Sequence, residues 1–364
     1  MGLGFLLLEP AGVQSAPAPP PPGLRPLPVR VVGRAVRERG EWVRQWPATV
    51  FEAGFTGREA WFRVGAGEAI LAVGVDGREV GRLVRPAAGL YRIGRIGRGR
   101  HRVRVQLVTE SQCGTTRFGG FYASAGIRAA PLASARTAVE FIGDSHTVGY
   151  GNASPKRECT REEVWATTDA TRAVPALLAR RYGADVQVDA ISGRGIVRNY
   201  GGAAADTLPQ AYPYALLDNR YAWGNTGWRP QLIVVALGTN DFSTPLHAGE
   251  KWTDREALRA DFEARYLRFL QSLRATNPGA FLLIWIADTG DGEIAREAGR
   301  VASRMAEAGE RRIAFVAIAG LALTGCDWHP SPADDRRIAT ALAGAIDARR
   351  DVWTRPSPRR RVGS

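Results

Sequence analysis

Ser145 ends the stretch Val139-Glu140-Phe141-Ile142-Gly143-Asp144-Ser145, in which an apolar run stops at a tight Gly-Asp-Ser turn. Such a run reads as a buried parallel strand, and the turn after it lifts the serine hydroxyl to the carboxyl edge of a sheet. A hydroxyl placed there attacks a carbonyl carbon once a base removes its proton. Gly-Asp-Ser alone is more often a surface turn, because turns favour these residues. Three fragments downstream change that reading: Ile191-Ser192-Gly193, Leu237-Gly238-Thr239-Asn240-Asp241 and Cys326-Asp327-Trp328-His329-Pro330. Asn240 follows Leu232 to Leu237, the most strand-like run in the chain, so it falls at the carboxyl end of a second strand. Taken by itself, Gly193 is a loop glycine that supplies a positive φ.

The base emerges by elimination among 4 histidines. His101 lies in the alternating segment His101 to Leu107 and reads as an exposed strand residue, while His247 sits in a polar loop with no partner motif. His146 follows the nucleophile directly, so its side chain diverges from that of Ser145. His329 remains. An orienting group must reach its Nδ1 to fix the tautomer and stabilise the imidazolium. Asp327, two residues earlier, is expected to be that group, with a backbone carbonyl as the alternative.

The four fragments, in this order, resemble the SGNH hydrolase superfamily, named for the Ser, Gly, Asn and His of four separate blocks. The resemblance implies catalytic roles for Ser145, His329 and Asp327, and an oxyanion hole made by the Ser145 and Gly193 amides and the Asn240 side chain. Many members carry an Asp three residues before the His, where this chain has Cys326. The carboxylate here stands one residue closer.

Those residues need a scaffold, and two periodicities supply it. From about Val29 to Ala133 the chain runs in short alternating segments such as Ala60-Trp61-Phe62-Arg63-Val64, punctuated by glycines. That pattern predicts a β-sandwich over 29–134. From Thr137 onward, strand-like runs alternate with helical stretches at Ala173 to Tyr182, Asp254 to Ala275 and Ala333 to Ala348. Alternation of this kind predicts a parallel sheet covered by helices, here over 135–352. A sandwich followed by an SGNH domain resembles carbohydrate esterase family 2. Specific likenesses are Phe118-Gly119-Gly120-Phe121, Gly149-Tyr150-Gly151-Asn152, Gly193-Arg194-Gly195, Trp228-Arg229-Pro230-Gln231 and Asp327-Trp328-His329-Pro330.

The family likeness implies an α/β chain with an N-terminal jelly-roll and a flavodoxin-like α/β/α catalytic domain. It also implies a serine esterase removing O-acetyl groups from plant cell-wall polysaccharides, acetylated xylan or glucomannan. Another acyl ester, or glycan binding with weak esterase activity, is the alternative. Trp228 and Trp328 are candidate substrate-binding residues, since a pyranose stacks on an indole face. No cofactor or metal is expected, because no ligand cluster, phosphate loop or complete dinucleotide fingerprint is present; Arg198 stands where that fingerprint needs its third glycine.

The net charge of +13 carries little weight as a sign of nucleic-acid binding. Nearly all the basic residues are Arg in an Ala- and Gly-rich chain, which points to base composition, and no nucleic-acid module accompanies them. No segment is long and apolar enough to span a bilayer. The 364 residues, 45% hydrophobic with 10 Trp, suffice for two cores. Residues 1–28 read as a leader or signal remnant, with an apolar Gly2 to Leu8 and small residues from Ala11 to Ala18, and 353–364 as a disordered basic tail. A secreted or periplasmic location is the expectation. In such a compartment Cys159 and Cys326 either form a disulfide or remain two buried thiols, leaving Cys113 odd.

Overall fold

The computed structural model describes residues 11–133, 135–224 and 227–354. It divides into two compact units, one of residues 1–134 with 214–223 and the other of residues 135–213 with 224–364. The hydrophobic Gly2 to Leu8 run and the 355–364 end of the basic tail lie outside the described residues.

The first unit consists of two antiparallel sheets. One has 7 strands, with 89–94, 60–64, 116–123 and 41–44 as consecutive neighbours, and the other has 6, built around 50–56, 100–107 and 70–75. Alternation explains their shared core. Along Arg100–Leu107, Val103, Val105 and Leu107 are buried while Arg102, Arg104 and Gln106 face the other way. Between the sheets Phe51 stacks on Phe118 with ring centroids 4.2 Å apart, and Phe121 meets Phe118 edge-on at 5.0 Å.

Two features depart from the sequence expectation. Within the stretch read as a leader, Gly12–Val13 pairs with 89–94 and Arg25–Leu27 pairs with 116–123. Glycines make room for this segment: a methyl at Gly81 would lie 2.5 Å from Val13 Cγ1, and one at Gly89 would lie 2.5 Å from Pro17 Cβ. Residues 214–223 also belong to this unit instead of the catalytic one. The Tyr214 carbonyl accepts from the Arg34 guanidinium at 2.9 Å and from Trp46 Nε1 at 3.2 Å, while the Leu217 N–H donates to Gln45 Oε1 at 2.9 Å. Polar side chains of the first unit thus satisfy the backbone of a segment distant in sequence.

The second unit is a five-stranded parallel sheet. Numbering its strands from the start of the unit gives β1 (Ala138–Gly143), β2 (Asp185–Ala190), β3 (Leu232–Ala236), β4 (Phe281–Ala287) and β5 (Ile313–Ile318), in the spatial order β2-β1-β3-β4-β5. Every residue of β3 and β4 is buried, the mark of central strands covered on both faces. In chain order the helices are α1 (Ser145–Val148), α2 (Arg161–Thr167), α3 (Val174–Tyr182), α4 (Leu208–Ala211), α5 (Thr239–Phe242), α6 (Arg255–Thr276), α7 (Glu293–Glu307) and α8 (Pro332–Asp347). The three helices expected from periodicity form as α3, α6 and α8. Asp254 caps α6 by accepting from the Ala257 N–H, and α8 opens with Pro332 behind a Ser331/Asp334 capping box. Among the described residues no helix is long and apolar enough to cross a membrane.

The order β2-β1-β3-β4-β5 has its switch point at β1, whose neighbours β2 and β3 continue the sheet in opposite directions. Loops leaving the carboxyl ends of such strands diverge and open a crevice. Ser145, Gly193 and Asn240 follow β1, β2 and β3 in turn.

Candidate active site

Ser145 is the first residue of the single turn α1, one residue beyond the end of β1. Glycine is required just before it, because a Cβ at Gly143 would fall 2.0 Å from Thr147 Oγ1. Asp144 caps the turn, one carboxylate oxygen accepting from the His146 N–H at 3.1 Å. Its other oxygen accepts from Asn240 Nδ2, also at 3.1 Å. Burial, with the neighbouring Asp241 charge adding to it, pushes the Asp144 carboxyl up to about 7 against the His146 hydrogen bond.

His329 Nε2 lies 2.8 Å from Ser145 Oγ, so the two residues singled out as base and nucleophile meet. Nδ1 faces backbone oxygens, Cys326 O at 2.9 Å and Asp327 O at 3.0 Å. A carbonyl only accepts, so Nδ1 carries the proton and Nε2 presents a lone pair to the serine hydroxyl. The expectation that the Asp327 carboxylate orients the imidazole is therefore corrected. That carboxylate accepts instead from Tyr150 Oη at 3.0 Å. The reason is local backbone conformation: Asp327 and Trp328 both adopt left-handed φ, 51° and 58°. The turn they form points the carbonyls inward and the Asp327 side chain away.

Left-handed residues other than glycine are uncommon, and two in succession hold only where their surroundings impose the shape. Several contacts do so here. Cys326 is buried and joined to Cys159 in a disulfide with Cα atoms 5.5 Å apart, which resolves the two open readings of these cysteines in favour of the bond. Gly151 lies against it, since a Cβ there would sit 2.3 Å from Cys326 Cβ. The Asp327 N–H donates to Arg157 O at 2.6 Å, and the Arg157 guanidinium donates to Ala322 O and Leu323 O, both at 2.9 Å. Asp334 of α8 accepts from the Ala322 N–H at 2.8 Å and the Leu323 N–H at 3.1 Å.

Aromatic rings close the base in. The Tyr150 ring packs 4.3 Å from that of His329, and His146 meets it edge-on at 5.5 Å. Burial, with the His329 ring adding to it, pushes His146 down to about 3, so it stays neutral. Burial likewise draws His329 below the usual 6.5, opposed by its hydrogen bonds to the Cys326 and Asp327 carbonyls and by the Asp327 charge.

The other two blocks meet Ser145 from the neighbouring strands. Gly193 has φ +79°, a conformation that favours glycine. Among the described residues, the backbone N–H groups of Ser145 and Gly193 donate to no backbone carbonyl of the loops and turns. Asn240 is buried in α5, and its Nδ2 donates to Arg194 O at 2.9 Å as well as to Asp144. No three His, Cys, Asp or Glu side chains converge as a metal site among the described residues.

The two tryptophans singled out in the sequence separate. Trp328, beside the base, is 58% exposed. Trp228 is not brought to the serine. Its Nε1 donates to Glu140 at 3.2 Å, and Glu140 also accepts from Tyr212 Oη at 2.6 Å. Glu140 is three residues before the end of β1, about 10 Å along the strand from the carboxyl edge. Sequence reasoning passed over Tyr200, which is also 58% exposed and lies next to Gly193, whose carbonyl accepts from the Tyr200 N–H at 2.9 Å. Its signal was an aromatic residue ahead of the flexible pair Gly201-Gly202.

Known proteins resemble this chain in sequence and in fold. Residues 31–132 match the Carbohydrate esterase 2 N-terminal family and residues 141–356 the GDSL-like Lipase/Acylhydrolase family. An acetylxylan esterase / glucomannan deacetylase of Cellvibrio japonicus is 38% identical over 90% of this chain and 93% of its own length. A solved carbohydrate esterase, described as having an active site with divergent catalytic and non-catalytic binding functions, superposes with a TM-score of 0.86 at 37% identity, over 91% of this chain and all of that one. A family two carbohydrate esterase from Clostridium thermocellum, solved in complex with cellohexaose, gives 0.78 at 25% identity over 90% of this chain and 100% of that chain. Matching sequence and fold place the chain in carbohydrate esterase family 2, as an esterase with a GDSL-like catalytic domain.

Proposed function

We propose that the protein removes O-acetyl groups from plant cell-wall polysaccharides, acetylated xylan or glucomannan, through an acetyl-enzyme on Ser145. The observation that carries this reading is the 2.8 Å contact between His329 Nε2 and Ser145 Oγ, in an imidazole whose Nδ1 is held by backbone oxygens. His329 takes the serine proton as Oγ attacks the acetyl carbonyl, and then gives it to the departing sugar hydroxyl. Water enters along the same path, with His329 again as base. The Ser145 and Gly193 N–H groups face the developing oxyanion as two preorganised donors. Asn240 is the third, and an oxyanion must share an Nδ2 hydrogen that the resting site spends on Asp144 or Arg194.

The exposed rings of Trp328 and Tyr200 support a sugar as the alcohol half of the ester. The same rings favour a second reading, glycan binding with slow turnover, which the binding functions described for one structural neighbour also encourage. Export is part of the proposal, and the Cys159–Cys326 disulfide supports it, because such bonds persist in oxidising compartments.

Acetate release from acetylated xylan and acetylated glucomannan is the test. Wild type should release acetate and Ser145→Ala should lose nearly all of it while staying folded by circular dichroism. Tight binding of deacetylated glycan with negligible acetate release would favour the second reading, and preference for long acyl nitrophenyl esters would point to another ester. Asp327→Asn should cost less than about tenfold in kcat, because its backbone carbonyl survives; losing the acid of a serine triad costs on the order of 10⁴. A loss of that larger size would restore the carboxylate as the orienting group. The imidazole of His329 must be neutral to act as base, so protonation as pH falls removes the base. Proton NMR of the 4 histidines should place the His329 midpoint below 6.5, and a midpoint above it would contradict the buried site described here.

A further inference from the structure

Asp241 follows Asn240 in α5 and is completely buried, yet no part of the mechanism above uses it. Its carboxylate is surrounded by the backbone of the loop that carries Gly193. Oδ1 accepts from three successive N–H groups, Ile196 at 3.1 Å, Val197 at 2.8 Å and Arg198 at 2.9 Å, and Oδ2 accepts from Ile196 at 3.0 Å. Successive amides converging in this way form a nest for an anion, and here the chain fills the nest itself. Gly195 lets the backbone come so close, since a Cβ there would lie 2.5 Å from Asp241 Oδ2 and 2.1 Å from Arg198 O. Beside the nest, Asn240 Nδ2 donates to Arg194 O at 2.9 Å, and the Arg198 guanidinium binds Thr244 O at 3.1 Å, Pro245 O at 2.8 Å and Glu250.

We propose that Asp241 is a positioning residue that sets the spacing between the Gly193 N–H and the Asn240 amide, so that two of the three oxyanion donors are assembled before substrate arrives. One donor belongs to the loop after β2 and the other to the turn after β3, elements with no strand pairing between them. The carboxylate joins them by accepting from three N–H groups of one loop, Ile196 reaching both of its oxygens. Donors preset in this way are worth most in the transition state, where the oxyanion carries full charge. The inference rests on the serine-esterase reading.

In Asp241→Asn an NH₂ replaces Oδ2 and confronts the Ile196 N–H, donor against donor. The full-length variant should lose about 10–100-fold in kcat with KM within about threefold, because a misplacement of about 1 Å costs up to roughly 10²-fold. Methylboronic acid, whose tetrahedral adduct on Ser145 places an oxygen in the oxyanion hole, should bind more weakly by the same factor as kcat/KM. Gly195→Ala, which keeps the carboxylate but pushes the loop off it, should show the same selective loss. Unchanged kcat and boronate affinity in a folded Asp241→Asn would overturn the proposal, as would a loss confined to KM. So would failure of both variants to fold, since Asp241 would then be a folding determinant. If wild-type activity survives Ser145→Ala, the serine-esterase reading itself is at fault.

Discussion

Ser145 can be activated only by an imidazole in one tautomer, and the turn Cys326–Trp328 decides which one His329 adopts. Two carbonyl oxygens facing Nδ1 require a proton there, and Nε2 is left as the acceptor. A neutral carbonyl stabilises the imidazolium less than a carboxylate would. Burial lowers the affinity of His329 for a proton further. The base is thus kept unprotonated, and in the proposed mechanism the amides of Ser145 and Gly193 stabilise the charge that develops on the substrate.

The turn is costly in itself. Left-handed φ at Asp327 and Trp328 costs on the order of 1–3 kcal/mol at each residue. The disulfide to Cys159, the Tyr150 hydrogen bond to the Asp327 carboxylate and the Arg157 contacts offset that strain from three directions. Further links tie the same region to α8. Asn152, two residues after Tyr150, donates to the Asp335 carboxylate at 2.9 Å, and Asp334 holds the backbone at Ala322 and Leu323. Burial pushes the Asp335 carboxyl up to about 8, so this link is largely a hydrogen bond between neutral groups near neutral pH. Asp327 therefore matters to the site through its backbone, through Tyr150 and through a charge that favours the protonated imidazole, while backbone carbonyls take over the orienting work of a triad acid.

Much of this was legible in the residues because it depends on local patterns. The apolar run from Leu232 forms a central strand as its composition suggests, and the helical periodicity at 173–182, 254–275 and 333–348 reappears as α3, α6 and α8. Three of the four blocks sit at strand ends, and His329 was left by elimination among the histidines. What escaped was long-range or conformational. Spacing cannot reveal that Asp327 and Trp328 are left-handed, so the direction of the carboxylate stayed hidden. Trp228 looked like a ligand for sugar because it precedes a site block, but Glu140 in the middle of β1 supplies the partner that draws it away. Segments 12–13, 25–27 and 214–223 were assigned by sequence position, while their partners lie far along the chain, 180 residues away for Tyr214 and Arg34.

The central claim is that Ser145, activated by His329 alone, carries the acyl group. Rapid mixing of the enzyme with an acetylated xylo-oligosaccharide, acid quenching and peptide mass spectrometry tests it directly. The account predicts one added acetyl group on the peptide containing Ser145 in wild type and in Asp327→Asn, and none in Ser145→Ala. Acetate release at a normal rate with no acetylated Ser145 peptide at any quench time, together with full turnover by Ser145→Ala, would contradict it.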